Sequence, residues 1–328
     1  MLNSVCSLSM ITQIGLLILV VLGVIKAYLI LTTGVCTSTK KLTGKTVIIT
    51  GANTGIGKET ALDLAKRGAR VILACRDPKK AAIAKEDIIR ESRNKNVFIR
   101  QLDLTSLKSV RKFAADILKS ELRLDVLINN AGCATIEKKL TEDGLEVQMQ
   151  SNHFGHFLLT NLLLGLLKKS APSRIIFVSS MAHSQTKTLD LNNLNSELSY
   201  NTGTVYFYSK LCQVLCTRHL APLVIKSGVT VNCLHPGAVK TEIFRNAPTW
   251  FQMVAAVCIP LFFKSAKEGA QTSIHLAVAD EVANVTGEYF SDCKIAKTSK
   301  LAKDLELAKK LWEVSETFVK LKPEERHF

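Results

Sequence analysis

The sequence predicts an α/β fold: one doubly wound sheet of about seven parallel strands, preceded by an N-terminal membrane-anchor helix. Three observations carry this expectation. Short apolar runs rich in β-branched residues alternate with longer segments of helical periodicity. Polar or glycine residues follow directly on nearly every run. An uncharged apolar stretch opens the chain.

The runs are TVIIT (46–50), RVILAC (70–75), NVFIRQLD (96–103), LDVLINN (124–130), RIIFVSS (174–180), VTVNCLHP (229–236) and GEYFSD (287–292). Between them, segments such as GKETALDLAKRG and SLKSVRKFAADILKS place apolar residues at helical spacing. Strand–helix alternation of this length gives a parallel sheet covered on both faces. No self-similarity points to a repeat architecture instead. In such sheets ligands bind beyond the carboxyl ends of the strands. Thr50, Gly51, Arg76, Asp103, Asn129, Asn130, Ser180, Pro236 and Gly237 all stand there, so the fold brings them to one rim.

The opening stretch, Met1 to Ile25, holds no Asp, Glu, Lys or Arg, and IGLLILVVLGVI within it is almost wholly apolar. About 20 apolar residues cross a bilayer as a helix, and this run reaches that length if Lys26 snorkels. Positive charge follows the run, at Lys26, Lys40, Lys41 and Lys45, which disfavours a cleaved signal and keeps the main domain in the cytosol. The alternative is a buried helix of a soluble protein. Residues 1–36 are accordingly read as the anchor and 37–43 as a polar linker. Residues 44–300 are read as the main folded domain, and 301–328 as a C-terminal helical extension.

Composition narrows the partners. The 328 residues carry a formal charge of +15, which could serve nucleic acid, an anionic membrane or a phosphorylated cofactor. The basic residues are scattered, with no stripe interleaved with aromatics, so nucleic acid is excluded as a partner. None of the nine cysteines forms a CxxC pair, and an odd count without framework spacing points to reduced thiols. Cys212 with Cys216, and His153 with His156, share helical faces but lack companion ligands. No metal is expected.

The first run leads into Thr50-Gly51-Ala52-Asn53-Thr54-Gly55-Ile56-Gly57 and then a helix. Three glycines permit a tight turn, close approach of a pyrophosphate and helix–strand packing, while the helix N-terminus offers free N–H groups to phosphate. This makes the sheet Rossmann-type and assigns Gly51, Asn53, Thr54, Gly55, Ile56 and Gly57 to a dinucleotide. The second run ends at Arg76, where an arginine can hold a 2′-phosphate and an acidic residue would instead take the ribose hydroxyls. NADP(H) is therefore expected, with Asp77 keeping NAD open.

Tyr206 and Lys210 stand four apart in the helical stretch VYFYSKLCQVLCTRHL, so they share a face. A nearby ammonium favours the phenolate and tunes the tyrosine as a general acid/base. Ser180, at a strand end, could hydrogen-bond a substrate oxygen. Tyr208 lies too close to Lys210 in sequence to share that face.

With these pieces in order, residues from about Leu42 to Phe318 resemble the short-chain dehydrogenase/reductase family. The matching pieces are the glycine turn, Asn129-Asn130-Ala131-Gly132, Ser180, Tyr206-x-x-x-Lys210 and Pro236-Gly237. ACRDPKK (74–80), SNHFGHFLLT (151–160), YFSDCK (289–294) and LAKKLWEVSE (307–316) resemble the microsomal retinol dehydrogenase group. The resemblance implies Tyr206 as acid/base, Lys210 on the nicotinamide ribose, Ser180 orienting the substrate carbonyl, and Asn152 completing the tetrad through a water. It implies Asp103 and Leu104 at the adenine, Asn130, Ala131 and Gly132 beside the ribose, and Val239 with Thr241 at the carboxamide and phosphates, next to Pro236 and Gly237.

The implied activity is NADP(H)-dependent interconversion of a hydrophobic alcohol and its carbonyl, retinol and retinal above all, with net reduction in cells. The same chemistry on steroid or lipid-derived carbonyls is one alternative; a non-catalytic nucleotide-binding scaffold is another. The interval between Ser180 and Tyr206 diverges from the family, which leaves substrate identity less defined than catalysis. A homo-oligomer and an endoplasmic reticulum membrane with the catalytic domain facing the cytosol are further expectations. The apolar stretch 246–263 is read as a lid for a lipid-like substrate.

Overall fold

A computed structural model describes residues 2–135, 137–239 and 263–328, with side chains throughout except at 2–11, 15, 18 and 19. Thr241 and nearly all of the expected lid lie outside the described residues.

Eight strands form one sheet: β1 (Thr46–Thr50), β2 (Arg70–Cys75), β3 (Val97–Gln101), β4 (Val126–Asn129), β5 (Ser173–Val178), β6 (Val229–His235), β7 (Tyr289–Ser291) and β8 (Lys294–Ile295). Their spatial order is β3-β2-β1-β4-β5-β6-β7-β8. The first seven are parallel, as the alternation predicts, and β8 adds an antiparallel edge to β7. The order reverses between β1 and β4, which opens the crevice where α/β sheets bind ligands.

The helices are α1 (Leu2–Thr32), α2 (Gly55–Lys66), α3 (Pro78–Ser92), α4 (Leu107–Ser120), α5 (Val147–Met149), α6 (Gly155–Lys169), α7 (Thr202–Val224), α8 (Ala266–Val278) and α9 (Leu305–Phe318). Strand β1 is buried at every position, which only a sheet covered on both sides requires. One face packs on α4, α6, α7 and α9 through residues such as Phe113, Leu163, Leu211 and Leu311. The other packs on α2, α3 and α8 through Leu64, Ile88 and Ile274. The C-terminal helix α9 thus belongs to the core, with Trp312 edge-on to Phe157 at 4.6 Å.

Helix starts follow local capping chemistry. Asp77 caps α3 ahead of Pro78, Ser106 caps α4, Asn201 caps α7, and Ser265 with Glu268 forms a capping box on α8.

The 31-residue helix α1 presents exposed apolar side chains along its described length, among them Leu16, Leu17, Val24 and Leu31. Among the described residues no helix is long and apolar enough to cross a membrane. The structure thus shows a long N-terminal helix where the anchor is expected, without showing a span. The segment after it lies on the domain: Arg67 Nη1 donates to Ser38 O at 2.7 Å and Lys40 O at 3.0 Å, and Cys36 N donates to Gln271 Oε1 at 3.1 Å.

Candidate active site

The glycine turn is shaped by close approach. Gly51 and Gly55 lie at φ 65° and 55°, the left-handed region that favours glycine. A Cβ on Gly57 would fall 2.4 Å from Gly51 O and 2.6 Å from Asn130 Nδ2, so only glycine lets α2 meet both the turn and β4. The cap residue Thr54 makes no side-chain cap bond, and the first amides of a helix have no helical partner. The amides of Gly55, Ile56 and Gly57, in the first turn of α2, therefore have no helical partner and are available to an anion, with Asn53 half-buried beside them. These residues fit a dinucleotide pyrophosphate.

Thr50 joins this turn to β4 and beyond. Its Oγ1 accepts from Asn130 N and Ala131 N, both at 2.9 Å, while Asn130 Nδ2 donates to Thr50 O at 2.8 Å. With both acceptor positions filled, the hydroxyl hydrogen is left for His156 Nε2, 2.9 Å away. His156 Nδ1 then donates to Asn152 O at 3.1 Å. Burial pushes His156 down to about 4, which keeps the ring neutral.

Asn152 sits in a π-helical turn, Gln150–Phe154, that links α5 to α6. Such turns commonly mark functional positions because they redirect one side chain out of helical register. Its Nδ2 donates to Cys133 O at 2.9 Å and Ser209 Oγ at 3.0 Å, and its Oδ1 accepts from Cys133 N at 2.8 Å. Its carbonyl accepts a second bond from Gln213 Nε2 at 2.8 Å.

Lys210, on α7, is buried and donates to Val178 O at 3.0 Å. A Cβ on Gly132 would lie 3.4 Å from both Lys210 Nζ and Asn152 Oδ1, so the glycine, the ammonium and the amide converge on one point. Tyr206 stands on the same face, its ring centroid 5.7 Å from Lys210 Nζ. Ser180, two residues past β5, lies close enough for its hydroxyl to favour the Tyr206 phenolate, and it caps the short helix Met181–Ser184. All four tetrad residues are thus brought together.

The electrostatics differ from expectation at one point. The Tyr206 phenol is raised, not lowered: burial dominates, and the Ser180 hydroxyl opposes it only in part. Lys210 is itself lowered to about 8 by burial. Its ammonium donates to the Val178 carbonyl and lies 5.7 Å from the ring centroid, and desolvation of the phenol outweighs any help it gives the phenolate.

The remaining expected residues line the rim. Arg76 is exposed at the end of β2, while Asp77 Oδ1 accepts from Lys79 N and Lys80 N as the cap of α3. Asp103 is half-buried, its carboxylate taking Thr105 N at 2.9 Å and Thr105 Oγ1 at 2.6 Å. Leu104 is buried, and its carbonyl packs under Gly155 so tightly that a Cβ there would lie 2.6 Å away. The Leu104 side chain is thus more a packing residue than an open contact surface. Pro236 and Gly237 follow β6, with Gly237 at φ 91°. Val239 pairs with Lys264 in an isolated bridge, and it meets Ile56 across Gly269.

Beyond Ser180 lies a cavity of about 350 Å³ bounded by Met181, His183, His235, Tyr289, Lys297 and Ser299. His235 Nδ1 has no hydrogen-bond partner there, and burial pushes the ring down to about 4. Among the described residues no group of His, Cys, Asp or Glu could hold a metal ion. In the sequence His156 stands out only beside His153, as a pair without companion ligands; its spacing of four from Asn152 on one helical face is the signal that points to its contact with Asn152.

A family model described as short chain dehydrogenase matches residues 45–252. The chain belongs to the short-chain dehydrogenase family. It is 49% identical over 295 residues to human retinol dehydrogenase 13, spanning 88% of this chain and 89% of that one. With human retinol dehydrogenase 11 it shares 47% identity over 285 residues, 87% and 89% of the two chains. Among solved structures, an uncharacterised protein from Mycobacterium paratuberculosis superposes with a TM-score of 0.71 at 32% identity, covering 88% of this chain and 98% of that one. The Pseudomonas aeruginosa RhlG/NADP active-site complex does so at 0.62 and 27% identity, over 76% and 95%. The chain is thus an oxidoreductase of the retinol dehydrogenase group within that family.

Proposed function

We propose that this dehydrogenase interconverts a hydrophobic alcohol and its aldehyde, retinol and retinal, with NADP(H). The observation that carries the reading is the convergence of Lys210 Nζ and Asn152 Oδ1 at Gly132, on the face shared by Tyr206 and Ser180. The dinucleotide supplies or takes the hydride at the substrate carbon. Tyr206 gives or takes the proton at the substrate oxygen, and Ser180 holds that oxygen. Lys210 carries the positive charge beside the phenol and binds the nicotinamide ribose. Asn152, fixed through both its amide and its carbonyl, holds the water that refills the proton.

Exposed Arg76 supports a 2′-phosphate, and the use of Asp77 Oδ1 as the cap of α3 favours that reading over an acidic contact to the ribose. RhlG, at 27% identity, is described in complex with NADP. The relatives named retinol dehydrogenases support a retinoid substrate. The exposed apolar side chains of α1 support seating in a membrane from which such a substrate partitions, and the lysines after the apolar run support a catalytic domain facing the cytosol.

The test is spectrophotometric: NADPH and NADH consumption with retinal, a steroid ketone and a fatty aldehyde, using detergent-solubilised protein. Retinal with NADPH is expected to give the highest kcat/KM, and Tyr206→Phe to abolish turnover. Undiminished turnover in Tyr206→Phe would refute the acid/base assignment.

A further inference from the structure

The loop that follows β6 is held from behind by a pair of charges to which no role is yet assigned. Lys264 N donates to Ala238 O at 2.7 Å, beside the Val239–Lys264 bridge. The Lys264 side chain then runs across Gly237, where a Cβ would lie 2.7 Å from Cδ and 3.0 Å from Nζ. Its ammonium ends on the Asp292 carboxylate, in a half-buried salt bridge. Asp292 Oδ1 also accepts from Gly34 N at 2.9 Å. Gly34, just past α1, packs so close that a Cβ would fall 2.2 Å from Asp292 C. Asp292 itself lies at φ 52°, in the left-handed region. Burial raises its carboxyl, but Lys264 and the Gly34 amide together outweigh burial and hold it below the usual range.

One carboxylate therefore joins the segment leaving α1 to the loop that carries Gly237 and Val239. We propose that Asp292 is a positioning residue: through Lys264 it sets the cofactor loop, and through Gly34 it ties that setting to the seat of the N-terminal segment. The inference rests on the reading of Gly237 and Val239 as part of the dinucleotide site. An exposed ion pair would contribute little to either end. This pair is half-buried, and the lysine it holds is also the lid on Gly237, so releasing the ammonium frees the side chain to lift off the loop.

The test measures NADPH affinity directly, by fluorescence titration of the full-length, detergent-solubilised protein, beside the thermal midpoint without cofactor. Asp292→Asn and Lys264→Met are each expected to raise the Kd for NADPH about tenfold, by more than kcat falls. The double variant should show no more than the larger single effect, because the two residues act as one unit. Asp292→Glu should recover part of the loss. Gly34→Ala should raise the Kd in the same direction.

An unchanged Kd in Asp292→Asn, or additive effects in the double variant, would overturn the proposal. Gly34→Ala that lowers the thermal midpoint and leaves the Kd alone would overturn the link to the N-terminal segment. Wild-type protein that binds neither NADPH nor NADH would instead overturn the functional reading on which the inference stands.

Discussion

His156 Nε2 lies 2.9 Å from Thr50 Oγ1, and this contact connects the two halves of the site. On one side the threonine holds the Asn130 and Ala131 amides; on the other the ring holds the Asn152 carbonyl. His156→Phe takes away the close acceptor of the buried Thr50 hydroxyl, at a cost of about 1–3 kcal/mol, while the Asn152 carbonyl keeps its bond from Gln213. The expected outcome is a fall in kcat/KM of about tenfold, since about 1.4 kcal/mol is a factor of ten. Because the ring titrates at about 4, no pH step near neutrality should vanish in the variant. A pH–rate profile from 5 to 9 checks both.

The same burial makes the fold acid-sensitive. His153 and His156 are pushed by burial to about 3 and about 4, below their ordinary values near 6.5. Between those limits the unfolded chain binds protons that the folded chain does not, so stability rises with pH there and is lost as pH falls. Urea unfolding at pH 7.5, 6 and 5 should show a falling midpoint, and His153→Phe should flatten the slope.

Lys210 has a cost built into its place. Its folded pKa of about 8 lies below the ordinary value for lysine, so the fold disfavours its charged form at all pH below 8, and the penalty vanishes above the unfolded pKa. Lys210→Met is expected to abolish turnover and to stabilise the protein at pH 7 by about 1–2 kcal/mol, after allowing for the unpaired Val178 carbonyl. The stability difference should shrink as pH approaches 10. Paired denaturation curves at the two pH values decide the matter.

Arg76 and Asp77 are adjacent but do different jobs. Arg76→Ala should weaken NADPH by about 10- to 100-fold, the worth of a charge-assisted phosphate contact, and leave NADH nearly unaffected. Asp77→Ala should cost about 1 kcal/mol of stability through its lost cap and leave the NADPH-to-NADH preference where it was. Cofactor titrations of the two variants separate the roles.

Orientation has its own readout at Asn284, an exposed residue in the sequon Asn284-Val285-Thr286. A domain facing the cytosol carries no glycan there. Protein made in mammalian cells should show no mobility shift on endoglycosidase treatment; a shift would reverse the orientation.

The sheet was legible because each strand is a dense apolar run bounded by helical periodicity: TVIIT and RVILAC are strands at the positions read from sequence. Strand β8 was not, since Lys294 and Ile295 are two exposed residues with no pattern to read. The tetrad was legible as motif residues, yet its charge state was not. Spacing puts Lys210 on the face of Tyr206, but only packing reveals that burial outweighs the ammonium. Asp77 illustrates the same limit: the sequence offers a carboxylate at the cofactor, and the backbone claims it first.

Val239 and Lys264, far apart in the sequence, are held side by side in one bridge at the rim of the sheet. Displacing the backbone of either residue therefore displaces the other, so a substitution near the start of α8 can be felt at Gly237 and Val239 without touching them.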